Sequence, residues 1–170
     1  NKRITPNFII KNKIDFLVSS GYPYLVKQEI LKLVKVKINL HISYLPYGRG
    51  IMPNLWSFYE NYPSGITIHQ LSKKFDDGDI FLQKKIKFPK LNNQTLKSTH
   101  DILLKSLEVF FLSNYEIIFE GKIKPYRQDK FYKIDRYHSR LESEKLISNF
   151  NKKWDTKIKE IKDFKRKKKK

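Results

Sequence analysis

Cysteine is absent from this sequence. That excludes disulfides, thiolate nucleophiles and thiolate metal sites, and it fits a reducing, cytoplasmic setting. Long apolar runs are absent too. Lys or Asn breaks each one within a few residues, well short of the roughly 20 residues a membrane-spanning helix needs. The opening Asn1-Lys2-Arg3 leads into no apolar core and no small-residue cleavage site, so no secretory signal is read there. Acidic side chains are scarce: 17 Asp and Glu stand against 36 Lys and Arg, for a formal charge of +19. Such an imbalance points first to a polyanion partner, but its distribution weakens that reading. Residues 1–120 hold 17 basic and 10 acidic side chains, residues 121–170 hold 19 and 7, and six of those bases form the run 165–170. The excess is carried by Lys rather than by Arg, which makes the bidentate contacts of nucleic-acid readers. A solvated surface with a basic tail is the expectation, with neither nucleic acid nor membrane as partner.

Hydrophobic residues at 39% and aromatics at 14% of 170 positions suffice for one domain with one core. The apolar run 14–19 ends at Gly21 and reads as a buried strand. Pro23 breaks it, and residues 27–34 place Ile30, Leu31 and Val34 at helical spacing. Residues 36–41 alternate and are β-branched, so a second strand follows. Strand, helix and strand with short connections predict a parallel pair with a right-handed crossover. Beyond a Pro/Gly loop, Pro53 opens a helix over 53–60. Strands over 66–71 and 80–88, joined by the acidic turn 75–78, form an appended hairpin. Thr95 caps a long helix running to about Phe119. After Pro125 the pattern suggests a strand at 131–134 and a short helix at 141–150.

Polar residues of chemical interest gather at Asn39, His41, Ser43 and the turn bearing Asp76, Asp77 and Asp79. Asn39 and His41 are two apart, so they share one side of the sheet at the carboxyl end of a parallel strand, where open α/β sheets place ligands. An amide donor beside an imidazole suits acyl transfer, which needs hydrogen bonds to a developing oxyanion and a group that moves protons near neutrality. Asp76 is placed to orient the imidazole. By spacing alone, a strand end and a turn cap are the favoured account of the pair. His69 reads either as a packed strand histidine or as a support near the site, and His100 and His138 read as surface residues. The acidic turn lacks the later Glu of a calcium loop. No His, Asp and Glu group has metal spacing, so no metal is expected.

Three blocks shift the balance between these readings. Asn39-x-His41-x-Ser43-x-Leu45-Pro46-x-x-Arg49-Gly50-x-x-Pro53, then Gly65-x-Thr67-x-His69, then Asp76-x-Gly78-Asp79-Ile80, occur in order. Together they resemble the signature of the folate-dependent formyltransferases. That family includes glycinamide ribonucleotide formyltransferase, methionyl-tRNA formyltransferase and the sugar N-formyltransferases, and the likeness runs from about residue 15 to 158. The resemblance implies an α/β, Rossmann-like core with a partly parallel sheet. It implies a catalytic trio of Asn39, His41 and Asp76, and 10-formyltetrahydrofolate as co-substrate. It further implies a pterin pocket walled by Tyr24, Leu25 and Val26 on one side and by Ser72, Lys73, Lys74, Phe75 and Asp76 on the other. The stretch around Trp56 and Glu60, with Tyr137-His138 and Trp154-Asp155-Thr156, looks closest to the sugar enzymes, so the implied acceptor is a nucleotide-linked amino-sugar. The transfer-RNA enzyme of the family would carry a separate C-terminal barrel, for which about fifty residues after Gly121 are too few.

One departure accompanies the resemblance. Family members begin with a further βαβ portion, whereas about a dozen residues precede Ile14 here, and the chain opens on Asn rather than Met. The expected organisation is a catalytic core over 1–125 truncated at its N-terminus, a short extension over 126–162, and a disordered basic tail over 163–170. A fragment, a methionyl-tRNA formyltransferase-like enzyme, an inactive remnant or a basic nucleic-acid binder are the competing readings, and the oligomeric state, a homodimer included, is left open.

Overall fold

The computed structural model describes residues 3–128 and 137–168. It opens on a helix absent from the expectations, α1 (Pro6–Lys11). Thr5 caps it by accepting from the Phe8 N–H, and Pro6 occupies the first turn, where a missing N–H costs nothing. Its Ile9 is buried with Val26, Ile30, Leu31 and Val34, so the helix covers the first crossover.

Next come β1 (Phe16–Ser20), α2 (Gln28–Leu33) and β2 (Val36–His41). The two strands are parallel, running from Phe16 opposite Val36 to Ser20 opposite Leu40. A two-residue strand, β3 (Arg49–Gly50), precedes α3 (Pro53–Glu60). Then β4 (Gly65–Gln70) lies antiparallel to β2, and β5 (Ile80–Lys85) antiparallel to β4. The sheet order β1-β2-β4-β5 therefore joins one parallel pair to an antiparallel hairpin, the partly parallel α/β architecture expected. The last strand stops at Lys85, three residues short of its expected end.

The long helix divides in two. α4 (Leu96–Leu112) starts in a capping box of Thr95 and Ser98, and α5 (Tyr115–Phe119) follows a break. At that break Ser113 Oγ donates to the Val109 carbonyl and Asn114 Nδ2 to that of Phe110. Side chains that take backbone carbonyls offer the chain an alternative to the helical ladder. Leu103 and Leu107 of α4, with Ile118 of α5, cover Ile38, Ile66 and Ile68 on the sheet.

The C-terminal segment contributes β6 (Tyr137–His138), α6 (Arg140–Ile147) and α7 (Ile158–Lys168). It is built into the core: Leu146, Phe150, Ile158 and Ile161 pack with Leu55, Trp56, Phe58 and Leu96. The boundary drawn at 125 therefore crosses a continuous core. The basic stretch from 163, expected to lack structure, is helical through Lys168. Phe164 packs on this cluster, while Lys165 reaches Glu60 at 2.5 Å and lies over the Tyr59 ring. The strand expected at 131–134 falls outside the described residues. His138, expected at the surface, is buried and stacked on Trp56 with ring centroids 3.7 Å apart.

Candidate active site

The end of β2 and the turn between β4 and β5 bring the sequence-predicted trio together. Asn39 and His41 alternate along β2, and Asn39 pairs across the sheet with His69 of β4. Asp76 sits in the turn at φ 51°, a left-handed conformation that Asp tolerates better than most residues. The turn closes tightly. A Cβ at Gly78 would lie 1.9 Å from the Gln70 carbonyl oxygen, so only glycine lets the chain pass there. Gln128 donates to the carbonyls of both Asp76 and Gly78 at 2.8 Å and holds the turn from outside.

The carboxylate is the hub. Its Oδ1 accepts from Asn39 Nδ2 at 3.2 Å and lies 3.6 Å from His41 Nδ1 and 3.5 Å from His69 Nε2. Its Oδ2 accepts the Gly50 N–H at 2.9 Å. Burial works against ionisation, but the two imidazoles and the Gly50 hydrogen bond outweigh it. They hold the Asp76 carboxyl well below the usual carboxylate range. His41 Nε2 donates to the Gly48 carbonyl at 3.0 Å, so acceptors face both nitrogens of its ring. Asn39 Nδ2 also approaches His69 Nε2 at 3.2 Å, so its amide hydrogens are shared between the histidine and the carboxylate.

A cavity of about 330 Å³ opens over this cluster, with Asn39, His41, His69 and Asp76 in its lining. One wall is the turn after β1, including Tyr24, Leu25 and Val26; the other includes Ser72, Lys74 and Phe75. Lys73, grouped with them from the sequence, is exposed and stands off the lining. Among the acidic-turn residues, Asp77 pairs with Arg49 rather than facing the cavity. Two further lining residues come from the C-terminal segment: Tyr137, which the sequence offered only as part of the family likeness, and Arg140, for which it offered no signal. They arrive because β6 pairs with β3, Arg49 opposite Tyr137 and Gly50 opposite His138. A Cβ at Gly50, whose φ is +96°, would lie 2.2 Å from the His138 carbonyl oxygen. A glycine is thus needed where the C-terminal segment seats. His69 was half legible: strand placement was clear, but its contact with Asp76 depends on a turn closing over it.

With the site assembled, comparison with known proteins places it. The model of the formyl transferase family matches residues 7–106, more than half of the chain. This chain belongs to the formyl transferase family. The formyltransferase PseJ of Anoxybacillus kamchatkensis superposes with a TM-score of 0.83 at 34% identity, covering 94% of this chain and 82% of its own. Its structure is a complex with UDP-4,6-dideoxy-4-formamido-L-AltNAc and tetrahydrofolate. An N-formyltransferase of Helicobacter canadensis, in complex with folinic acid and dTDP-3-aminofucose, superposes at 0.63 with 25% identity, covering 74% of this chain and 45% of its own. Methionyl-tRNA formyltransferase of Lactobacillus acidophilus is 35% identical over 126 residues, covering 72% of this chain and 39% of the relative. The chain spans about two fifths of the length of the curated relatives it matches. Among the described residues, no helix of this family member is long and apolar enough to cross a membrane.

Proposed function

We propose that the chain transfers a formyl group from 10-formyltetrahydrofolate to the primary amine of a nucleotide-linked amino-sugar. The observation that carries this reading is the meeting of Asn39, His41 and Asp76 in the lining of one cavity of about 330 Å³. The attacking amine forms its bond to the formyl carbon, and the carbonyl oxygen gathers negative charge. Asn39 supplies a hydrogen bond to that oxygen, and His41 supplies a second by turning one ring N–H away from its resting acceptor, in a site where such donors are worth far more than in water. Asp76 orients the His41 ring and gives the amine's proton a path away. The residues 24–26 and 72–76 line the space in which the folate ring lies, with the exception of Lys73.

The sugar acceptor is supported by the likeness to PseJ, which extends over nearly the whole chain and includes the C-terminal segment. A second reading, methionyl-tRNA as acceptor, is favoured by the curated relatives, whose identity to this chain is similar. Incubation with 10-formyltetrahydrofolate and either a UDP-linked amino-sugar or methionyl-tRNA separates the two by mass spectrometry of the products. Formylated sugar is expected. Formylated methionyl-tRNA with untouched sugar would establish the second reading instead. His41→Ala lowers kcat on the order of a hundredfold or more. A variant that turned over normally would remove His41 from the mechanism.

A further inference from the structure

His69 is the most enclosed titratable side chain at the site, 1% exposed, yet its ring edge reaches the cavity lining. Its Nδ1 lies 2.8 Å from the Gln70 carbonyl, which can only accept, so Nδ1 carries a hydrogen in every state of the ring. Nε2 is the atom free to change. It stands 3.2 Å from the amide nitrogen of Asn39 and 3.5 Å from Asp76 Oδ1, a donor and an acceptor. It can serve one at a time. The neutral ring accepts from Asn39, whereas the protonated ring turns an N–H against that amide and donates to the carboxylate instead. The titratable groups facing the ring are Asp76 from the turn and His41 from β2, edge-on with centroids 6.2 Å apart, while β5 presents Ile80 at the paired position.

The resting network also poses a difficulty for the transfer reaction. Both acceptors beside Asn39 compete for the amide hydrogens that a developing oxyanion needs. Resting on the formyl-transfer reading above, we infer that His69 is a positioning residue that releases one Asn39 hydrogen to the oxyanion when it takes up the substrate amine's proton. As the amine nitrogen bonds to the formyl carbon it loses a proton, which is held on Nε2 and balanced by Asp76. When the bond from the formyl carbon to the donor nitrogen breaks, that nitrogen receives the proton. His69 returns to accepting from Asn39, and the atoms balance with no further reactant.

The test has two arms. In the wild-type protein, nitrogen-15 NMR of the His69 ring is expected to show the Nδ1–H tautomer whenever the ring is neutral. As the ring is protonated, the Asn39 side-chain amide signals should move with the same midpoint. A ring carrying its only proton on Nε2, or an Asn39 amide indifferent to His69 titration, overturns the proposal whether or not the protein transfers formyl groups. In the second arm, His69→Gln keeps an acceptor for Asn39 but cannot store a proton, and His69→Leu removes both. Relative to active wild-type protein, kcat is expected to fall about tenfold in the Gln variant, matching the loss of one hydrogen bond, and further in the Leu variant. KM for folate stays unchanged, and the pH dependence of kcat loses one limb. An unaltered kcat and pH profile in the Gln variant rejects the assignment. Lack of activity in the wild type with the expected NMR coupling would instead count against the formyl-transfer reading.

Discussion

Two N–H groups and two imidazole rings surround the Asp76 carboxylate, and this sets how the protein responds to acid. Its folded pKa lies below the value of about 3.9 for an unfolded Asp. Between those two values the unfolded chain binds more protons, so stability rises with pH there. The stabilisation is complete above about pH 4 and is lost as pH falls through the folded value. Urea unfolding of Asp76→Asn should therefore show a deficit against wild type near pH 7 that narrows below about pH 4. A deficit that stayed constant with pH would mean that the carboxylate's charge contributes nothing to folding. The same residue shows what one side chain does for a site: it ties β2, the Gly50 backbone and β4 to one oxygen pair.

At the scale of elements, the short pairing of β3 with β6 matters more than its two residues suggest. It carries Gly50, the donor to Asp76, and brings Tyr137 and Arg140 to the cavity. The pairing is anchored by Ser143 of α6, which accepts from Trp56 Nε1 at 2.9 Å and donates to the Ile51 carbonyl at 3.0 Å. Ser143→Ala leaves the buried indole N–H without its acceptor, and a loss of about 1–3 kcal/mol is expected. Chemical denaturation measures that loss, and a parallel fall in transfer rate would show that the C-terminal segment supports the site as well as the fold. If stability dropped while the rate held, the segment would be packing alone. The break at 113–114 and the helix after 158 escaped the sequence pattern for reasons of their own. Both depend on partners distant in sequence or on side chains competing for backbone carbonyls, neither of which hydrophobic period records.

For the molecule as a whole, one cavity gathers residues from both ends of the chain, from Ser19 to Arg140. A ligand filling it should therefore stabilise the entire fold rather than one lobe. With tetrahydrofolate at about a hundred times its Kd, the gain is about 2.7 kcal/mol. For a domain of this size that raises Tm by about 5–10 °C, a shift readable by scanning fluorimetry. No shift at millimolar folate would sink the pterin pocket while leaving the architecture intact. The net charge of +19 plays little part in that expectation. Part of it belongs to α7, where Phe164 and Lys165 face the protein and Arg166, Lys167 and Lys168 are exposed.

Local rules determined the βαβ start, the Pro-led helix at 53, the capped helix at 95 and the hairpin, because periodicity and turn residues act over a few residues, while the trio came with the family likeness. The family likeness was legible for the same reason: its three blocks are contiguous stretches. Only the tertiary structure decided that the last third of the chain belongs to the core, that His138 is buried on Trp56, and that Arg140 reaches the cavity. It alone set His69 between Asn39 and Asp76. Such contacts join residues up to 105 positions apart, and their free energy comes from desolvation and hydrogen-bond geometry that exist only once the elements have packed.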